Sequence, residues 1–254
     1  MLQNLFAGTT FAQLAFLGIA AFVAGLARGF SGFGAALIFM PLASAIAGPR
    51  IAAPLLLVID GFGALGMIPN AWRQAHKRDV AVMAAGAVIG VPMGAAFLAY
   101  ADPLLVRWLI IVLVGLLLML LMSGWRHHGK PSDAITAVVG LVAGLFSGTA
   151  QAGGPPIVAY WLGGAIPFAI VRANIVLYFA VSTVFSVVSY TIGGLFVAAI
   201  VAPALTTGPL YLLGLNLGSR LFNRADERLF RRVCYGLIAT AAILGLPLLD
   251  PVLR

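Results

Sequence analysis

The chain has 254 residues, of which 62% are hydrophobic and 9% charged, and a formal net charge of +8, with a mean hydropathy of +1.09. This composition excludes a soluble globular domain and reads as an integral membrane protein with short loops. The positive balance fits basic cytoplasmic loops rather than nucleic-acid binding, and the single cysteine, Cys234, excludes an intrachain disulfide or a multi-cysteine metal site.

Residues 1–27, 29–49, 134–171 and 173–219 contain no Asp, Glu, Lys or Arg. The last two stretches are too long for one crossing each. No Lys or Arg precedes Arg28, so the first stretch lacks the basic n-region of a cleaved leader and is expected to be a retained span. Hydropathy and Gly/Pro punctuation predict an all-α polytopic protein with ten membrane segments. Those of the first half cover 11–28, 31–47, 51–69, 80–100 and 104–122; those of the second cover 134–147, 153–167, 173–192, 196–217 and 230–248. The second and seventh are short enough to be half-helices or re-entrant.

Two Gly/Pro-rich breaks stand out, GFSGFGAALIFMPL from Gly29 and GLFSGTAQAGGPPIVAYWL from Gly144. An interrupted helix leaves backbone groups unpaired in hydrocarbon at several kcal/mol each, so it persists only where protein or a wet cavity satisfies them. A matched pair of breaks in two halves points to a transporter's binding site. Aligned on their shared Phe-Ser-Gly, the breaks set Arg28 against Gly144. A second pair, GVPMGAAFLAYADPLLVRW from Gly90 and GLNLGSRLFNRADERLFRR from Gly214, aligns without gaps and matches Asp102 to Asp226 and Arg107 to Arg231. Arg50 and Arg172 each open the segment after a break. The expected organisation is therefore a first repeat over 1–125, a linker over 126–131 and a second repeat over 132–254.

Five segments per half is an odd number, so the halves insert with opposite orientation. Twelve of the fifteen basic residues then fall on one side, leaving Arg50, Arg107 and Arg254 on the other. That side is cytoplasmic by the positive-inside bias, with both termini outside. Segments two and seven decide the parity, because four crossings per half would also keep the basic loops together.

The residues resemble the TauE/SafE family of sulfite exporters and related organosulfur transporters. The resemblance covers nearly the whole chain and rests on the duplicated glycine-rich segments, on GGPPIVAYWL from Gly153, on VRANIVLYF from Val171 and on the closing Gly214–Arg232 pattern. It implies membrane transport of a small sulfur- or carboxylate-bearing anion such as sulfite, a sulfonate or sulfoacetate.

Each break offers candidate ligands. In the first, these are Arg28, Ser31, Gly32 and Gly34. In the second, Ser147, Gly148, Thr149 and Gln151 precede Gly153 and Gly154, where a left-handed glycine conformation followed by Pro155-Pro156 is expected to open a helix. The free amides and positive dipole of such a first turn make an anion site, whereas a packing kink is the structural alternative. Arg172, Asn174 and Tyr178 lie on the following segment. Asp60 has nine uncharged residues before it and twelve after. A lone acid inside a span serves as a proton relay, an ion ligand or the partner of a buried Arg. Together these features predict a secondary transporter of a small anion coupled at Asp60, in a bacterial inner membrane. A passive anion channel of the same fold is the alternative. No catalytic constellation or cofactor motif is present, since no His lies within a predicted span. The expected partners are the anion and the lipid bilayer, not nucleic acid; a homodimer is left open.

Overall fold

The computed structural model describes residues 10–125, 132–162, 167–222 and 227–250. The predicted linker 126–131 and the Asp226 motif residue lie outside them. Eleven α-helices follow in order: α1 (Phe11–Ser31), α2 (Ala35–Ala47), α3 (Pro49–Ala64), α4 (Ile68–Gln74), α5 (Lys77–Tyr100), α6 (Pro103–Ser123), α7 (Asp133–Ala150), α8 (Gly154–Trp161), α9 (Phe168–Ile192), α10 (Val201–Phe222) and α11 (Glu227–Leu244). A 3-10 turn joins α3 to α4, so that Pro49–Gln74 forms one rod of 26 residues. Each predicted segment thus meets a helix or, for the third, this rod. Among the described residues, seven helices are long and apolar enough to cross a membrane. The second and seventh segments are short: α2 has 13 residues and α8 has 8. At 1.5 Å rise per residue they reach roughly 20 and 12 Å, well under the ~30 Å of a hydrocarbon core.

Glycine lets four long helices pair with their backbones in contact. A Cβ built on Gly86, Gly90 or Gly94 of α5 would strike the Ala137, Leu141 or Leu145 carbonyl of α7, and one on Gly140 or Gly148 of α7 would strike the Met83 or Val91 carbonyl of α5. Likewise Gly25 and Gly29 of α1 abut the Tyr211 and Leu215 carbonyls of α10, and Gly214 and Gly218 abut those of Phe22 and Leu26. In lipid, where apolar burial gives no drive to associate, such close approach supplies the dispersion that holds helices together. Each pair joins one helix of the first half to one of the second.

These contacts also give directions. Residue numbers rise together along α1 and α10 and along α5 and α7. The α3 helix runs with α10, since Gly208 faces Ile59 while Gly63 faces Leu212 and Leu215. Tyr178 reaches the Gly140 carbonyl and Tyr190 that of Gly148, so α9 runs with α7. Arg50 at the start of α3 donates to the Leu98 and Ala101 carbonyls at the end of α5, at 3.3 and 3.0 Å; these two run oppositely. Helices α1, α3 and α10 therefore share one sense, and α5, α7 and α9 the other. Helices α1 and α3 thus run alike although α2 lies between them, as do α7 and α9, which is consistent with an odd-parity, inverted arrangement.

Element boundaries correct the alignment of the breaks. Helices α1 and α7 both end in a left-handed cap, at Gly32 (φ 78°) and Gln151 (φ 54°), and α2 and α8 are capped by Gly34 and Gly153. Pro49 and Phe168, which open α3 and α9, keep the same separation in sequence. In this register Arg28 corresponds to Ser147 and Asp60 to Phe179; the Phe-Ser-Gly match is three residues out of step. Arg50 is the second residue of α3 and Arg172 the fifth of α9, so those two are not equivalent either. Asp102 caps α6, accepting from the Leu104 and Leu105 amides at 2.9 and 3.0 Å. Cys234 is buried in the core, as expected of a small apolar side chain. On the same end of the molecule Arg107 clamps Asp250 with two bonds of 2.6 and 3.0 Å, tying α6 to the segment after α11.

Candidate functional site

The two breaks meet at a cavity of about 40 Å³, room for roughly three waters and hence for a small oxyanion. Its walls come from both halves. Gly34 through Leu37 begin α2, Leu56, Leu57 and Asp60 lie on α3, and Arg28 closes α1; opposite stand Ser147, Gln151, Gly154, Pro155 and, from α9, Phe179, Ser182 and Thr183. Both half-helices start at this cavity, which puts the positive end of each dipole there. Their donors differ. The first turn of α2 carries amides at Ala35 and Ala36, whereas Pro155 and Pro156 remove two from α8. The break that looks richer in sequence is thus the poorer amide donor.

Charge in the cavity is concentrated in a triad. Arg28 Nε donates to Asp60 Oδ1 at 3.0 Å, and the Tyr211 hydroxyl donates to the same oxygen at 2.5 Å. Arg28 Nη1 donates to the Gly32 carbonyl at 2.5 Å, and the guanidinium lies over the Phe179 ring, 4.9 Å from its centroid. The side chains of Arg28 and Asp60 remain 11% and 28% exposed, so the pair is open to the cavity rather than sealed. Arg28, counted in the sequence with the cytoplasmic loop charges, is a half-buried partner of Asp60 instead. It falls inside α1 because the helix runs three residues beyond the predicted end.

A second cavity, of about 60 Å³, is lined by Phe30, Ser31, Gly32, Val158, Leu162 and Arg172 among others. Phe33 lines both cavities. It is held between Gly32 and Gly34, whose φ of 78° and 99° only glycine adopts cheaply. Its Cβ sits 3.1 Å from where a side chain on Gly154 would begin. The two cavities therefore share an aromatic wall.

The predicted ligands divide accordingly. Arg28, Gly34, Asp60, Ser147, Gln151 and Gly154 meet at the central cavity. Ser31, Gly32 and Arg172 face the second one, and the Ser31 hydroxyl is taken up by the Ala27 carbonyl at 2.7 Å and by the backbone of Phe33. Gly148 serves the α5–α7 contact, and Thr149 bonds the Leu145 and Gly94 carbonyls at 2.9 and 3.3 Å in that interface. Asn174 accepts from the His76 amide at 2.8 Å and so fixes the start of α5. Tyr178 packs edge-on against Trp161 and Phe179. Gly153 is not left-handed: its φ is −70°. Glycine is needed there because a Cβ would meet Ser147 Oγ and the Ala143 carbonyl. Tyr211, Phe33, Phe179, Ser182 and Thr183 were missed. A phenol at mid-span and the Ser-Thr pair in segment eight were the available signals; the two phenylalanines gave none. Among the described residues no group of three or more His, Cys, Asp or Glu side chains could hold a metal ion.

A family model described as Sulfite exporter TauE/SafE matches residues 17–244, nearly the whole chain. No curated protein and no solved structure matches it.

Proposed function

Because the chain belongs to the sulfite exporter TauE/SafE family, we propose that it is a secondary transporter of a small sulfur-containing or organic anion, of the sulfite, sulfonate or sulfoacetate kind. The halves 1–125 and 132–254 act as inverted repeats in a bacterial inner membrane, and the anion binds in the central cavity. The observation that carries this reading is the placement of Arg28, paired with Asp60 and facing a cavity on which two half-helices converge. With Asp60 ionised, the two side-chain charges cancel and the cavity draws an anion only through amides and dipoles. A proton on Asp60 removes its charge and leaves the guanidinium positive, free to offer its planar fork to an oxyanion. Proton and anion then occupy the site together, and uptake by the cavity strengthens as pH falls.

Asp60→Asn tests this coupling, because it fixes the uncharged form without changing shape. Reconstituted in proteoliposomes, the variant should still exchange sulfite or sulfoacetate across the bilayer, while accumulation driven by a pH gradient disappears. Full pH-driven uptake by the Asn variant would exclude Asp60 as the coupling group and bring the passive channel forward. Cysteine labelling at positions 130 and 228 checks the orientation, with both expected to react from the cytoplasmic side.

A further inference from the structure

Gln151 is the one residue other than glycine with a positive φ, 54°, among the described residues. A side chain in this left-handed region is strained, and such strain gathers at functional sites. The matching residue in the other break is Gly32, which takes the same turn without that cost. A glycine would thus suit position 151, and the carboxamide is what glycine lacks. Its surroundings fix how that group is turned. The buried Tyr190 hydroxyl has a single proton and donates it to the Gly148 carbonyl at 2.7 Å. Its oxygen must therefore accept, and Gln151 Nε2 stands 3.1 Å away as the donor. An amide turned the other way would set two acceptors face to face. One N–H of the carboxamide is thereby committed to Tyr190, while the second N–H and the carbonyl stay with a side chain that lines the central cavity.

We infer that Tyr190 is a positioning residue that orients the Gln151 carboxamide, so that its second N–H donates to an oxygen of the transported anion. This rests on the transport reading above and deepens it. The anion would be held between a cationic donor from the first half, Arg28, and a neutral one from the second. The requirement is for an acceptor oxygen on the substrate, which favours sulfite, sulfonate and carboxylate groups over halides.

Tyr190→Phe, Gln151→Gly and the double variant, assayed in proteoliposomes with sulfite, test the assignment. Each single change should raise KM about tenfold, the size of one hydrogen bond to a charged group, and leave the maximal rate and its pH dependence unchanged. The double variant should raise KM no further than either single one, since both remove the same oriented donor. Gln151→Gly leaves the Tyr190–Gly148 bond in place and relieves the strained turn, so it keeps the test open if Tyr190→Phe does not fold. Unchanged KM in the folded single variants, or losses that multiply in the double one, would overturn the inference while wild-type uptake that depends on Arg28 leaves the transport reading standing. Wild-type protein that neither binds nor carries sulfite, sulfoacetate or a simple carboxylate would overturn both.

Discussion

The two breaks share a left-handed helix cap and a half-helix that starts at the cavity, yet face it with different chemistry. Before α2, the left-handed turn uses glycine, the following helix offers amides, and Arg28 and Asp60 stand on its neighbours. Before α8, the turn uses Gln151, prolines replace the amides, and the positions corresponding to Arg28 and Asp60 hold Ser147 and Phe179. The Phe179 ring even lies under the Arg28 guanidinium. Similar helix ends thus set where groups point, and the residues they carry separate a charged wall from a neutral one. The charged residues lining that space, Arg28 and Asp60, come from the first half alone.

The largest break in this comparison is expected at Arg28. Arg28→Ala leaves Asp60 in the cavity with Tyr211 alone and should abolish transport. It should also destabilise the protein by about 2 kcal/mol, less than the roughly 3–5 of a sealed pair because Asp60 is partly open to the cavity. Ser147→Ala at the corresponding place should cost at most about 1 kcal/mol. Thermal unfolding in detergent alongside transport measures both, and equal losses would erase the asymmetry. Next comes the wall between the cavities. Phe33→Ala should join them, so that anion crosses down its own gradient without a pH difference; leak no faster than wild type would show that Phe33 does not divide the path.

Backbone effects are smaller and differ in cause. Gly153→Ala drives a methyl into Ser147 Oγ and the Ala143 carbonyl and should destabilise by about 1–3 kcal/mol, as overpacking does. Gly32→Ala meets nothing within 4 Å; only its φ is at stake, for about 1 kcal/mol. Unfolding temperatures of the two variants separate collision from torsional strain, and a larger loss at Gly32 would reverse this ranking.

Much of this molecule was legible in the sequence. The ten segments, the shortness of the second and seventh, and the odd character of Asp60 all follow from hydropathy, glycine punctuation and the cost of a charge in lipid. That Gly25, Gly29, Gly90, Gly94, Gly214 and Gly218 are contact faces appeared only in the helix pairs. The site was less legible because polar residues near a break have other employment. Thr149 and Asn174 bond backbone at helix junctions, and Ser31 satisfies its own turn. Spacing cannot tell a ligand from such a brace.

What the sequence alone determined is therefore an all-helical membrane protein with two broken stretches and a mid-span acid, since these depend on local hydropathy and on residue type. Only the tertiary structure decided the partners. Tyr211 reaches Asp60 from 151 positions away, and the caps set Gln151 against Gly32, both left-handed. Phe33 became a shared wall only once α2 and α8 were brought together. Lipid gives apolar helices no strong preference for one neighbour over another, so the choice rests on backbone fit at small residues. That fit is a property of two surfaces in three dimensions, and no single stretch of chain carries it.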